Sequence, residues 1–120
     1  CWVKSSEGTK ICTMRKNHIT VMRMNDNYSL SVGIKHEKNS ITLLKVDNNS
    51  IWQAREGLYR DAQTIIDQFK RGFEVKTEFN AFNTTKPVVN EVSLIGFSDA
   101  FNDMQQQYSK LDHLDAQRRF

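Results

Sequence analysis

The sequence lacks long hydrophobic runs and most of the short motifs that identify enzymes. A membrane-spanning helix needs about 20 consecutive apolar residues, and no stretch approaches that length, so we expect no such helix. The chain has no G-x-S-x-G nucleophile elbow, no G-x-x-x-x-G-K-S/T phosphate loop, no G-x-G-x-x-G fingerprint and no C-x-x-C pair. We therefore expect a non-enzymatic protein with no catalytic residue and no cofactor.

Metal-binding patterns are also missing from the sequence. The three histidines, His18, His36 and His113, show no H-x-H or H-x-x-x-H spacing, whereas zinc ligands commonly occur at such short spacings. The carboxylates Glu74 and Glu78 alternate with lysine, which is typical of the solvated face of a strand. We expect no metal site.

Charge of one sign does not dominate, since 17 Lys and Arg residues stand against 14 Asp and Glu residues and give a net charge of +3. The basic residues are spread along the chain, which favours an ordinary solvated surface and no nucleic-acid partner. A length of 120 residues suits one domain, because each half alone would bury too small a core. We expect residues 1–120 to form that domain, with a polar tail at 112–120 that frays.

The sequence has only two cysteines, Cys1 and Cys12, and they leave three alternatives open. A hairpin can bring them within disulfide distance, which would indicate an oxidising compartment. Lipoprotein processing, in contrast, leaves a mature chain that begins at a lipid-bearing cysteine, and Cys1 would then be a membrane anchor. The third alternative is that neither modification occurs. The disulfide and the lipid exclude each other at Cys1, but both place the protein outside the cytoplasm.

The N-terminal half has the period-two pattern of β-strands. Ile19–Met24 is rich in apolar and β-branched residues, and residues 28–34 alternate apolar with small or polar side chains. The Asn- and Asp-rich segment 25–27 between them predicts a hairpin turn. Ile41–Val46 and residues 51–55, joined by another polar turn, predict a second hairpin. The two hairpins in sequence predict a meander.

Two segments of the C-terminal half change to the helical period. The first, over residues 61–71, carries apolar side chains on one face, with Asp61 as the N-cap and Gly72 as the residue that stops the helix. The second, over residues 98–111, has a similar apolar stripe and Ser98 as its N-cap. We therefore expect two short helices.

Residues 73–79 and 88–95 alternate again and predict two further strands, the second of which ends at Gly96. Gly96 would supply the unusual backbone that an abrupt strand-to-helix turn requires, through a positive φ or a close approach. The whole pattern predicts a mainly β fold, an antiparallel β-sandwich of about six to eight strands with two peripheral helices. The predicted core consists of Val32, Ile34, Leu43, Ile66, Phe69, Val75, Phe79, Val92, Leu94 and Phe97.

The order of these signals from residue 61 onward resembles the invasion-associated locus B family of bacterial periplasmic proteins. The matching stretches are residues 66–72, which end in glycine, the strand at 73–79 and the V-S-L-I-G-F-S-D-A segment at 92–100. Trp2-Val3 and Cys12 resemble the opening of that family, although Ser5 stands where its first cysteine would fall and its later cysteine pair is missing. The resemblance implies a β-sandwich with peripheral helices and no catalytic residues.

The resemblance and the cysteines together lead us to expect a protein of the periplasm or outer membrane of a Gram-negative bacterium. The first hypothesis is a non-enzymatic envelope protein that acts through protein–protein contacts, at the host interface if it is of the invasion-associated type. The second is an accessory or exclusion lipoprotein of a secretion or conjugation system, bound to the membrane only through a lipid on Cys1.

The third hypothesis is an inhibitor of a wall-degrading hydrolase that inserts a polar loop into the substrate cleft of the enzyme. The candidate contact loop contains Asn80, Asn83, Thr84, Thr85 and Lys86.

Overall fold

The computed structural model describes residues 1–4, 8–33, 35–83 and 85–118, and within them the chain forms nine β-strands and two α-helices. No helix among these residues is long and apolar enough to cross a membrane. The helices are α1 (Gln63–Arg71) and α2 (Phe97–Arg118). In chain order the strands are β1 (Trp2–Lys4), β2 (Thr9–Lys16), β3 (Ile19–Met24), β4 (Asn27–Val32), β5 (Ile41–Val46), β6 (Trp52–Arg55), β7 (Leu58–Tyr59), β8 (Glu74–Phe79) and β9 (Val88–Ser93).

The strands form two antiparallel sheets whose inner faces share one hydrophobic core. The five-stranded sheet has the order β1-β2-β3-β4-β7, and the four-stranded sheet has the order β6-β5-β8-β9. The fold is therefore mainly β with peripheral helices, as the sequence predicts. Three of the nine strands, β1, β2 and β7, are not predicted individually, and β2 is the longest strand of the fold.

Both predicted hairpins are present, but the meander is wrong. Strands β3 and β4 pair through the register Met24↔Asn27, and Asn25 in the turn has the positive φ of 52° that Asn tolerates. Strands β5 and β6 also pair, yet in the other sheet, where β8 is the second neighbour of β5. Each hairpin contributes apolar side chains from one of its faces to the shared core.

The predicted core is largely correct. Phe97 is half-buried and packs against the core cluster, and Ile34 lies outside the described residues. Seven of the predicted core residues are buried: Val32, Ile66, Phe69, Val75, Phe79, Val92 and Leu94.

Leu43 is the exception, because strand β5 buries the opposite set of side chains. Thr42, Leu44 and Val46 point into the core, and Leu43 is only half-buried on the other face. The sequence I-T-L-L-K-V permits either phase of the period of two. Thr42 points into the core and is fully buried, whereas a hydrophobic pattern would place a polar threonine on the solvent side of the strand.

Helix α1 starts later than predicted and without the predicted cap. Its N-cap is Ala62, which makes no side-chain capping bond, and Asp61 precedes it with a φ of 52°. Ala62 is fully buried, and its N–H donates to the carbonyl of Tyr28 at 3.0 Å. The tertiary contact with strand β4 therefore sets the start of the helix. Ile65, Ile66 and Phe69 form its buried face.

Helix α2 begins at Phe97, one position before the predicted cap, and extends to Arg118, beyond its predicted end at residue 111. Ser98 lies inside the first turn, where its hydroxyl donates to the carbonyl of Lys70 at 3.4 Å. Gly96 has a φ of 85°, and a Cβ at this position would meet no atom within 4 Å. The positive φ is therefore the reason for glycine at this turn.

Tyr59 connects the two sheets. Its buried hydroxyl, on β7 of the five-stranded sheet, donates to the carbonyl of Thr42 on β5 of the four-stranded sheet at 3.0 Å. Burial raises the pKa of the Tyr59 phenol well above its usual range, so the phenol stays protonated and remains a donor.

Candidate functional site

The two cysteines form a disulfide, so the first of the three alternatives for them is confirmed. Strand β1 pairs with β2 through Trp2↔Ile11, and this pairing brings the Cα atoms of Cys1 and Cys12 to 4.0 Å. Cys12 is fully buried and Cys1 is exposed. The disulfide thus holds a three-residue edge strand on the larger sheet.

The predicted contact loop lies against a different segment, residues 35–37. The carbonyl of Asn80 accepts from the N–H of Glu37 at 2.9 Å, and the N–H of Asn83 donates to the Glu37 carboxylate at 2.9 Å. Thr85 and Lys86 are exposed, and Thr84 lies outside the described residues. Glu37 therefore hydrogen-bonds to the loop at two points, Asn80 and Asn83.

The rings of His18 and His36 both lie near that of Phe79, with ring-centroid distances of 6.0 and 5.1 Å. The side chain of His113 lies outside the described part of the chain. Within that part, no group of three or more His, Cys, Asp or Glu side chains is placed to hold a metal ion.

The strongest candidate site is a groove between the two sheets, where β2 and β3 on one side approach the end of β9 and the start of α2 on the other. We call it the inter-sheet groove. It encloses about 240 Å³. Its apolar lining includes Ile19, Val21, Phe69, Val92 and Leu94, all buried members of the core. It therefore offers hydrophobic contact surface of the kind that ligand pockets usually have.

Two cations form the edge of the inter-sheet groove. Arg15 and Lys16 are exposed at the end of β2. The Lys16 ammonium reaches across to donate to the carbonyl of Ser93 on β9 at 2.8 Å, and Arg15 Nε donates to the carbonyl of Asn17 at 3.0 Å. Among the described residues that line the groove, none carries a carboxylate. The groove is apolar inside and positively charged at its mouth.

Beside the groove lies a second feature, which we call the Phe73–Ile95 corner after the two residues that form it. Phe73 is 77% exposed and Ile95 is 82% exposed, the highest values among the large hydrophobic residues described as exposed. The N–H of Leu94 donates to the carbonyl of Phe73 at 2.9 Å, which fixes the two segments side by side. A backbone hydrogen bond thus joins the two segments that carry these highly exposed apolar side chains.

The Asp47 carboxylate holds the backbone of this corner in place through two hydrogen bonds. Its carboxylate oxygens accept from the N–H groups of Phe73 at 3.0 Å and Glu74 at 3.1 Å. Phe73 also shares a shallow depression with two cations, Lys45 and Lys76, and two carboxylates, Asp47 and Glu74. The corner is therefore a fixed element of the fold with groups of both charge signs close to its aromatic residue.

Sequence reasoning missed the groove but had singled out one of its walls. The segment 92–97, which carries the family resemblance, supplies that wall and the start of α2. The opposite wall comes from β2, whose alternation gives no hint of a binding role. Only the packing of segments about 80 residues apart, such as Lys16 against Ser93, creates the site.

Comparisons of this chain with protein-family models, curated proteins and solved structures find no match. The resemblance to the invasion-associated locus B family therefore stays a prediction.

Proposed function

We propose that this chain is a non-enzymatic binding protein of the bacterial envelope that acts through protein–protein contacts centred on the Phe73–Ile95 corner. The exposure of these two side chains carries the proposal. Large apolar residues are normally buried, and two highly exposed ones on hydrogen-bonded segments favour a surface that binds another molecule. Aromatic side chains at such positions frequently provide much of the binding energy.

The charges on the Ile95 side of the corner support a partner with an apolar surface bordered by acidic residues. Arg15 and Lys16 line the groove to which Ile95 contributes. The depression beside Phe73 holds Lys45 and Lys76 together with Asp47 and Glu74. Complementary charges at the border of an interface speed association and select the partner.

The Cys1–Cys12 disulfide supports a location outside the cytoplasm, since such bonds persist in oxidising compartments such as the periplasm. The disulfide uses the Cys1 sulfur that a lipid would need, so the proposal does not depend on an anchor at that residue.

Site-specific photocrosslinking tests the proposal. A photoreactive residue at position 73 or 95 should trap one discrete protein in the intact envelope, and the same residue at position 82 should not. Phe82 is a fair comparison because it is 55% exposed and belongs to the predicted contact loop.

The trapped protein should then be purified and its affinity measured with the double variant Phe73→Ser/Ile95→Ser. A matched control is Phe82→Ser/Leu58→Ser, which removes one exposed aromatic and one exposed aliphatic side chain elsewhere. We expect at least a tenfold loss of affinity in the first variant only, equivalent to about 1.4 kcal/mol. Crosslinks from position 82 alone would contradict the proposal and favour the loop.

A further inference from the structure

The inter-sheet groove has the dimensions and polarity of a binding site for a small amphiphile. The core residues that line it include Phe69, Val21 from the larger sheet and Val92 from the smaller, and the more exposed Phe97 and Ala100 complete the apolar lining. Phe69, Val21 and Val92 belong to the rigid core, so the shape of the groove is set before any ligand arrives. Pre-formed apolar pockets with a few polar groups are the usual small-molecule sites.

The volume limits the size of the ligand. An apolar cavity of about 150 Å³ accommodates benzene, with its six carbons. By proportion, the groove of about 240 Å³ admits roughly ten carbon atoms. It is smaller than the range of about 300–1,000 Å³ that drug-sized ligands occupy. One short hydrocarbon chain fits, whereas a phospholipid with two chains does not.

The mouth of the groove determines the charge of the ligand. Lys16 uses one of its three N–H donors on Ser93, and Arg15 uses one of its five on Asn17, so both have donors left for an anion. Within the described residues, neither cation has a carboxylate partner. Arg and Lys bind carboxylates through charge-assisted hydrogen bonds.

We propose that the inter-sheet groove binds a free fatty acid of about eight to ten carbons, with the chain against Phe97 and Ala100 and the carboxylate at Arg15 and Lys16. This ligand site is independent of the protein contacts proposed above. A cationic amphiphile would place like charge against the mouth, and an uncharged alcohol would leave both cations without a counter-charge.

Calorimetric titration of the whole chain with decanoate, below its micelle concentration and at low salt, tests the proposal. Decanol and decyltrimethylammonium are the comparison ligands, because they keep the chain and change only the head group. We expect decanoate to bind with one-to-one stoichiometry and at least tenfold more tightly than either. Equal affinity for decyltrimethylammonium, or no binding of decanoate, would overturn the proposal.

Two variants of helix α2 locate the ligand. Ala100 is exposed and lines the groove, so Ala100→Leu places a larger side chain in the space of the hydrocarbon chain without disturbing the core. Asn102 is equally exposed on the same helix and does not line the groove, so Asn102→Leu is the matched control. We expect at least a tenfold loss of decanoate affinity in Ala100→Leu only. An unchanged affinity in that variant would overturn the location.

Arg15→Gln tests the head-group contact. It should weaken the binding of decanoate by about tenfold and leave the affinity for decanol unchanged. Arg55→Gln, which removes an exposed arginine on β6, should change neither affinity. Equal weakening of both ligands by Arg15→Gln would mean that the residue only shapes the groove, and the proposed carboxylate contact would be wrong. Thermal melts of all variants confirm that the folded protein is being compared.

Discussion

The guanidinium carbon of Arg23 lies 3.7 Å from the centroid of the Tyr108 ring and so joins strand β3 to helix α2. The same guanidinium donates from Nη1 to Gln105 Oε1 at 2.8 Å, and Gln105 Nε2 in turn donates to the Tyr28 hydroxyl at 2.6 Å. One cation thus holds two successive turns of the helix on the sheet.

Replacing Arg23 by Gln should loosen this part of the helix. A partly desolvated cation–π contact and a hydrogen bond to a charged group are each worth about 1–2 kcal/mol, so we expect the free energy of unfolding to fall by about 1–3 kcal/mol. Hydrogen exchange should accelerate at the amides of residues 104–111. Arg55→Gln, at an exposed position, should change neither quantity, and an equal effect of the two variants would contradict the role given to Arg23.

Phe69→Ala should destabilise the protein strongly, because Phe69 is 2% exposed and packs edge-on against Phe97 with ring centroids 5.3 Å apart. Removing a buried phenylalanine typically costs about 3–5 kcal/mol. Phe73→Ala, at a 77% exposed position, should cost less than about 0.5 kcal/mol. Urea denaturation measures both, and a cost below about 1 kcal/mol for Phe69→Ala would mean that its packing contributes little.

Gly96→Val should lower the free energy of unfolding by more than about 2 kcal/mol, because a β-branched residue is strained at the φ of 85° found there. Gly96→Asn should cost less, since Asn tolerates a positive φ and the site has open space. Partner binding by the folded fraction of Gly96→Val should persist. A melting temperature that stays the same while binding is lost would show a direct role in contact.

Gly72, the glycine that ends the other matching stretch at 66–72, supplies a contrast. Its backbone is extended, but a Cβ there would lie 2.6 Å from Val46 Cγ1. We therefore expect Gly72→Asn to be more damaging than Gly96→Asn, because close packing and not backbone angle excludes the side chain. Thermal melts of the two variants decide between the two causes.

Stability should fall at high pH through Tyr59. Burial raises the pKa of Tyr59 in the folded state above its value of about 10 in the unfolded chain, so the folded state keeps its proton longer. The contribution is complete below about pH 10 and is lost as the pH rises further, by up to about 1.4 kcal/mol per pH unit.

Tyr59→Phe removes this titration together with the hydrogen bond to Thr42. We expect the difference in unfolding free energy between wild type and variant to shrink as the pH rises from 9 to 11. Lysines titrate in both proteins, so their contribution cancels in the difference. Parallel pH curves for the two proteins would contradict the assignment.

The sequence predicts the strands well where alternation is regular and fails where it is ambiguous. Residues 73–79 alternate cleanly, and β8 follows that pattern from Glu74 to Phe79. In β5 the run I-T-L-L-K-V supports two phases, and only contact with the other sheet selects Leu44 over Leu43. The predicted caps Asp61 and Ser98 fail for a related reason: Ala62 bonds to the carbonyl of Tyr28 and becomes the N-cap in place of Asp61, and the Ser98 hydroxyl donates to the carbonyl of Lys70.

The candidate site was less accessible to sequence reasoning. The disulfide was one of three alternatives at the sequence level, and geometry selects it. The groove needs β2, β9 and both helices in their final positions, and no local pattern encodes such a convergence. The resemblance pointed to residues 92–100, but it did not indicate that Ile95 would project into solvent.

Because Phe73 and Ile95 are exposed, selection for folding and selection for binding should act differently at these two positions. A library of variants screened for folding alone should accept polar residues freely at both positions, because their side chains contribute little to the core. Under the proposed function, the same library screened for binding to the crosslinked partner should reject those variants while tolerating conservative apolar exchanges. Positions at which the folding screen accepts polar substitutions and the binding screen rejects them would define the contact surface.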